Sequence, residues 1–377
     1  MTQILQRFVN DEFTIESFCT EMDRLKMFAE SKYIVSVCVA VSGGADSTAL
    51  LLLSTEWAKK NGVNVYAVTI DHKLRPESAQ EAKIVEEFCR SREIRHKTIP
   101  WNRECYYVRH NALENLAREA RYQLISEFCK YHNIQVLLVG HTWNDQLETF
   151  EIRRNAGSTA CGLAGISQVR SLAEWLKLFR PILHFSKEHL EYFLKNRNIP
   201  WITDPMNDQD SFLRVFYRKK IAQYDESKIS AISKDIIQFG KRRNEIETAA
   251  VCFLKKFCKF FECGYATVKK DQLLLEKKTV QAEILKRVIW NVGGKKYAKT
   301  ISESRCDQIL CKKINTLGGC LWKVKEDKIF FFRENRRNFS KLGCELSWER
   351  QNNKLASEFV GSNLLCLNKI NIFDVFL

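Results

Sequence analysis

Two hydrophobic periods alternate along the first 200 residues. Tyr33 to Val41 is apolar and valine-rich, the texture of a parallel strand buried on both faces. Ser47 to Lys59 follows with helical spacing, Val63 to Ile70 reads as a second strand, and Pro76 to Ser91 as a helix opened by its proline. Arg95 to Ile99 is a third strand. Across Asn111 to His132, Leu113, Leu116, Ala117, Ala120, Leu124 and Phe128 form one apolar stripe of a long helix. Val136 to Gly140 is another strand, with a helix from about Asn144. Residues 182–200 add one more helix, and Trp201 to Asp204 with Pro205 closes the region. Repeated strand–helix units predict an α/β domain over residues 1–220, a parallel sheet with helices on both faces. Past residue 221 Lys and Phe become frequent, and Ser230 to Lys259 reads as helix. Leu317-Gly318-Gly319-Cys320, running into Leu321 to Phe332, reads as short β-structure. A mostly helical domain over 221–300 and a small β-containing C-terminal region over 301–377 are therefore expected.

Charge adds a direction to this layout. The net charge is +15; residues 1–220 hold 30 basic and 27 acidic side chains, and residues 221–377 hold 30 and 18. The excess sits in the second half, where its field would attract a polyanion, nucleic acid before membrane. A solubilising surface is the plainer reading of the same excess. No apolar run approaches the ~18 residues of a membrane span, and the N-terminus lacks the charged-then-apolar order of a signal peptide. The 14 cysteines are dispersed, often in apolar stretches, and no Cys-x-x-Cys pair occurs. Buried thiols in a cytoplasmic protein are expected, with no structural zinc and no iron–sulfur cluster.

In such a sheet ligands bind beyond the carboxyl ends of the strands. Three predicted strands end on polar residues: Ser42, Asp71-His72 and His141. The first runs into Ser42-Gly43-Gly44-Ala45-Asp46-Ser47-Thr48 and then a helix. Glycines let backbone N–H groups approach an anion, and the helix N-terminus adds partial positive charge. Ser42, Ser47 and Thr48 supply hydroxyls. A Walker loop would need Gly-Lys-Ser/Thr, and a dinucleotide loop a third glycine. A Gly-Gly turn with Asp46 or Ser47 as a helix cap is the plain structural alternative.

The order strand, Ser-Gly-Gly-x-Asp-Ser, helix resembles the PP-loop ATP pyrophosphatases. Further segments narrow the resemblance: Asp71-His72-Lys73-Leu74-Arg75-Pro76-Glu77-Ser78, Ala117-Arg118-Glu119-Ala120-Arg121-Tyr122, and His141 through Asn144-Asp145-Gln146 to Glu148-Thr149. Gly157-Ser158 to Gly165, and Asp204-Pro205-Met206-Asn207 with Phe212 to Arg218, complete the set. Together they are similar to the tRNA(Ile)-lysidine synthetase family, clearly over about 35–220 and more weakly to about 335. The resemblance implies that ATP adenylates the C2 oxygen of the wobble cytidine in an isoleucine tRNA with a CAU anticodon. The ε-amine of free lysine then displaces AMP to give lysidine. The expected ligands are ATP with Mg²⁺, lysine and that tRNA; a membrane is not expected, and an oligomer is allowed.

Read physically, Arg118 and Arg121 are three apart and share one side of a helix. They could hold phosphate or stabilise charge at the reacting centre; solvent-exposed arginine, with Arg118 paired to Glu114, is the alternative. Asp145 and Glu148 open a helix and could cap it, bind Mg²⁺, hold the lysine ammonium or take its proton. His141 lies just before them, within reach of a phosphate. Arg214, Arg218, Lys219 and Lys220 form a basic cluster expected to face tRNA, although a single lysine there is more simply a solvated one. Three positions depart from the family's pattern: Asn144 where a second Asp is usual, Thr159 where Gly is usual, and Val215 where Asn is usual. The amide is the weaker cation ligand, and Thr restricts the loop backbone. Other readings are a tRNA thiolase, disfavoured by the missing Cys-x-x-Cys, a metabolic synthetase, which needs no basic second half, and a catalytically idle binding module, to which Asn144 points.

Overall fold

The computed structural model describes residues 14–29, 34–73, 77–101, 113–203, 212–261, 264–294, 301–311 and 314–334. Leu74 to Pro76, Asp204 to Asn207 and residues 335–377, all read above, lie outside the described residues. The chain falls into two compact units, divided after Gly240.

The N-terminal unit is the expected α/β layering. Its strands are β1 (Ser36–Ala40), β2 (Asn64–Asp71), β3 (Arg95–Pro100), β4 (Val136–Leu138), β5 (Val169–Ala173) and β6 (Leu176–Phe179), in the order β3-β2-β1-β4-β6-β5. All neighbours are parallel except β5, which runs antiparallel to β6 at the edge. The helices are α1 (Ile15–Lys26), α2 (Ala45–Asn61), α3 (Ser78–Arg90), α4 (Leu113–Tyr131), α5 (Trp143–Asn155), the single turn α6 (Ala160–Leu163), α7 (Lys187–Lys195), α8 (Phe212–Ile221) and the first part of α9 (Glu226–Phe257), whose residues past Gly240 belong to the second unit. Phe18, Leu50, Leu53, Trp57, Val85, Leu190 and Leu194 bring α1, α2, α3 and α7 onto one sheet face. Ile125 and Cys129 of α4 cover the other face with Val68, Leu137 and Leu178. The buried line of α4 thus runs through Ala117, Ile125 and Cys129, while Leu124 and Phe128 of the predicted stripe are only partly covered.

The β5–β6 hairpin is absent from the sequence reading. Leu176 to Phe179 is fully buried and only four residues long, so it offers no alternation to detect. Residues 221–240 stay with this unit because Ile229, Ile232, Ile236 and Phe239 pack on Leu147 and Phe150 of α5.

In the C-terminal unit, β7 (Cys258–Phe260), β8 (Ala266–Lys269), β9 (Ile314–Leu317), β10 (Cys320–Lys325) and β11 (Lys328–Arg333) form an antiparallel sheet in the order β7-β8-β11-β10-β9. The helices are α10 (Lys270–Leu275), α11 (Lys278–Gly293) and α12 (Glu303–Cys311), and α11 packs on β10 and β11. The short β-structure read around Gly318-Gly319 is the β9–β10 hairpin, with φ of 64° and 83° at the two glycines, as a two-residue primed turn requires. None of the described helices is long and apolar enough to cross a membrane.

Candidate active site

The strand order reverses direction at β1, whose neighbours are β2 on one side and β4 on the other. A crevice is expected beyond the carboxyl ends of β1 and β4, and the motif residues gather there. Val41 leads from β1 into the loop, and Gly44, extended at φ −68° and ψ 163°, is the N-cap of α2. Gly43 sits at φ +86°, a left-handed conformation that glycine adopts without steric cost. Its carbonyl accepts from Ile202 N–H at 2.9 Å and from the Thr48 hydroxyl at 3.2 Å. The Ser47 hydroxyl donates to Gly44 O and accepts from Ser42 N–H, each at 3.1 Å, and lies 3.2 Å from Ser42 Oγ. These bonds fix the loop's shape before any anion arrives.

A Cβ on Gly43 would lie 2.6 Å from Ile202 Cδ1 and 3.0 Å from Val85 Cγ2. Gly43→Ala therefore combines a left-handed alanine with a clash. It is expected to destabilise the fold by about 1–3 kcal/mol. A lowered urea midpoint at unchanged slope is the expected reading; an unchanged midpoint would show that the loop relaxes freely. Gly140, at the end of β4, matters in another way. A Cβ there would meet Asp46 C and Ser47 N at 3.3 Å, so glycine lets β4 approach the first turn of α2.

Asp46 lies in that turn. Burial is the main cause that lifts its carboxyl to about 6, opposed by Lys187 and reinforced by Asp145 and Glu191. Its Oδ1 is buried with no hydrogen-bond partner. A helix N-terminus and a lysine thus face a carboxylate that burial disfavours, the arrangement of a group kept for a charged ligand.

Beyond β4, His141 is half-buried. Its imidazole is pushed down to about 4, first by burial and then by Arg180, Arg118 and Arg214, with Asp145 opposing. Arg180 Nε donates to His141 Nδ1 at 3.3 Å and Arg180 Nη1 to Ser167 O at 2.6 Å. His141 is then neutral, with its proton on Nε2. Arg180 is 4% exposed, and burial lowers its guanidinium to about 10. Arg118 stacks over the Tyr122 ring at 5.5 Å. One buried arginine after β6 therefore touches this neutral histidine, and the charges of exposed Arg118 on α4 and Arg214 on α8 add to the field around it.

Beyond β2, Asp71 accepts from Lys73 N–H at 2.9 Å and from the Ser78 hydroxyl at 2.7 Å. It closes a turn in which Lys73 has φ of 49°. Arg121 donates to His72 Nε2 at 3.2 Å. Burial and that guanidinium lower His72 to about 4. The structure thus joins Arg121 to His72, while Arg118, exposed on the same helix, contacts Tyr122 and reaches His141 only through its charge.

Asp145 accepts from Thr142 N–H at 2.7 Å and from its hydroxyl at 3.1 Å, capping α5. Glu148 pairs with Arg218 at 2.8 Å, and its Oε2 is buried without a partner. Glu151 pairs with Arg154 at 2.6 Å and Lys220 at 3.6 Å, and accepts from the Tyr224 hydroxyl at 3.0 Å. In the basic cluster, Arg218 and Lys220 thus bolt α8 to α5, while Arg214, whose charge is felt at His141, and Lys219 are exposed. Gln146, through Ile166 N–H and O at 2.6 and 3.0 Å, and Arg153, through Gly162 and Gly165 carbonyls, hold the 157–166 loop on α5.

The PP-loop domain family matches residues 19–224 of the chain. A tRNA(Ile)-lysidine synthase of Wolbachia pipientis wMel is 32% identical over 317 residues, covering 81% of this chain and 72% of that one. The chain belongs to the tRNA(Ile)-lysidine synthase family. A member from Orientia tsutsugamushi (strain Boryong) is 28% identical over 334 residues, covering 84% of this chain and 73% of its own. Among solved structures, a U34-tRNA thiolase from Methanococcus maripaludis shares the fold at 15% identity with a TM-score of 0.50, over 63% of this chain and 83% of that one.

Two of the three departures from the lysidine synthase pattern have a local account. Thr159 is the N-cap of α6 at φ −66° and ψ 169°, extended backbone that threonine adopts readily. The side chain of Asn144 accepts from Lys187 N–H at 2.9 Å. Nothing in the structure explains Val215, half-buried on α8. Sequence reasoning missed Gly140, Arg180 and Lys187. Arg180 follows directly on β6, a strand end that the pattern did not reveal. Lys187 and Gly140 carry no signal beyond their place in the fold.

Proposed function

We propose that this chain joins lysine to C2 of the wobble cytidine of an isoleucine tRNA with a CAU anticodon, at the expense of ATP. The observation that carries the reading is the PP-loop together with a neutral His141 that accepts from buried Arg180 in the field of Arg118 and Arg214, in a chain of this family. The Ser42 to Ser47 backbone and the N-terminus of α2 would receive the β- and γ-phosphates. The cytidine O2 attacks the α-phosphorus as its bond to the bridging oxygen breaks, and charge builds on departing pyrophosphate. Lys187 and the loop N–H groups oppose that charge. The lysine ammonium gives its proton to a carboxylate, for which Asp145 is the candidate; the free amine bonds to C2, the C2–O2 bond breaks to release AMP with that oxygen, and the proton shed by the new C–N nitrogen leaves with AMP. Arg118, Arg180 and Arg214 surround the place where AMP becomes the leaving group, and His141 Nε2–H donates there.

Among the described residues no group of three His, Cys, Asp or Glu side chains forms a metal cluster. Asp46, with an unpartnered oxygen beside Asp145, fits a Mg²⁺ brought in on ATP; Glu148, paired to Arg218, fits less well. When bound, the ion neutralises phosphate charge. The basic excess of the later residues supports a tRNA partner.

The test is incorporation of radiolabelled lysine into folded tRNA(Ile) bearing CAU, with ATP. Label should appear on that tRNA and AMP should form in equal amount. Absence of label on a correctly folded transcript rejects the reading.

A further inference from the structure

Two short helical starts meet beside the loop. Trp143 N–H, at the start of α5, donates to Phe185 O at 2.8 Å. Next to it, Asn144 Oδ1 accepts from the first backbone N–H of α7, that of Lys187, at 2.9 Å. This N–H has no partner inside its own helix, so the amide oxygen supplies one. Glu188, one residue on, accepts hydrogen bonds from the side chains of Ser186 and Asn144. The amide therefore works from both ends, its oxygen on a backbone N–H and its nitrogen on a carboxylate. No other side chain of this size offers an acceptor and a donor so placed.

What this junction orients is Lys187. Its ammonium is the largest favourable charge that Asp46 meets, and Asp46 sits in the first turn of α2, under the phosphate-binding loop. The remainder of α7 is anchored through Leu190, Phe193 and Leu194 in the core, so its N-terminus is the end left to be positioned. We infer that Asn144 is a positioning residue, whose amide bridges the starts of α5 and α7 and so holds Lys187 toward Asp46. Asn144 is then the residue this junction needs, rather than a cation ligand that has lost its charge. The inference rests on the reading of the loop as the site of ATP cleavage.

A carboxylate at 144 would keep the acceptor for Lys187 N–H. It would lose the donor for Glu188 and set two carboxylates against each other, a like-charge contact that is unfavourable although Glu188 is exposed. A carboxylate at 144 opposite an amide at 188 would restore one donor and one acceptor with their places exchanged.

The experiment compares the parent chain with N144D, E188Q and N144D/E188Q. It measures kcat and KM for ATP in tRNA-dependent pyrophosphate release, and urea unfolding of each. N144D should lower kcat about 10-fold or more with KM for ATP changed much less, because the misplaced ammonium acts on the leaving group. N144D/E188Q should recover to within about 3-fold of the parent. N144D with parental or higher kcat overturns the inference. So does a double variant that folds as well as the parent yet stays as slow as N144D. If the parent itself releases no pyrophosphate, the reading of the loop fails, and the bridge is judged on unfolding alone. Non-additive midpoints across the cycle then support it, and additive ones overturn it.

Discussion

Asp46→Asn is expected to abolish lysine transfer while making the protein more stable at neutral pH. The two effects have one cause. Asp46 is held in a place where burial, Asp145 and Glu191 all disfavour its charge, and Lys187 only partly offsets them. The folded carboxyl titrates at about 6 against an ordinary 3.8. The folded state therefore binds this proton more tightly than the unfolded chain does. Stability is lost as pH rises from 3.8 to about 6, and the loss is complete above that window. Asparagine keeps the shape and removes the charge. At pH 7.5 the variant should gain on the order of 1–3 kcal/mol, and near pH 4 the gain should vanish. Urea unfolding at the two pH values reads this directly. Turnover should fall by about 10³-fold or more, since under the proposed function Asp46 serves the departing phosphates. Equal loss of stability and activity would mean that Asp46 serves only the fold of the loop.

The same residue shows what could be read from sequence. The order of a valine-rich strand, two glycines, Asp and Ser, then a helix was enough to locate the loop, because each residue there answers a local requirement of backbone or charge. Gly43 at φ +86° and Gly44 at the helix cap are local facts. The long alternation of strands and helices likewise gave the layered sheet, since its periods are those of the elements themselves. The partners were not legible. Arg180 reaches His141 across 39 positions and Arg218 reaches Glu148 across 70, distances over which no period extends. Arg218 and Lys220 look, on the helix alone, like a surface for tRNA; only the fold shows the buried glutamates beneath them. Asn144 reads as a defect beside a family pattern, and as a junction once α7 is seen next to it.

Arg180 carries the second large prediction. It is a buried cation whose Nε–H fixes His141 Nδ1 as an acceptor, and whose charge helps to keep that imidazole neutral. In Arg180→Met, burial and the charges of Arg118 and Arg214 still depress His141, but Asp145 opposes them with less resistance. The His141 titration should move up from about 4 toward 6.5, which an NMR titration of the imidazole protons would follow. The parent chain keeps His141 uncharged when folded, so this group makes stability rise with pH between about 4 and 6.5. The variant should lose part of that slope. Its kcat should fall by about 10²-fold, because in the proposed mechanism Arg180 opposes charge on the leaving nucleotide and holds the His141 Nε2–H donor. Arg180→Lys should not restore it, for an ammonium cannot serve His141 Nδ1 and Ser167 O in the fork of a guanidinium. A methionine variant with an unmoved His141 titration and full kcat would reduce Arg180 to a support for the β5–β6 edge.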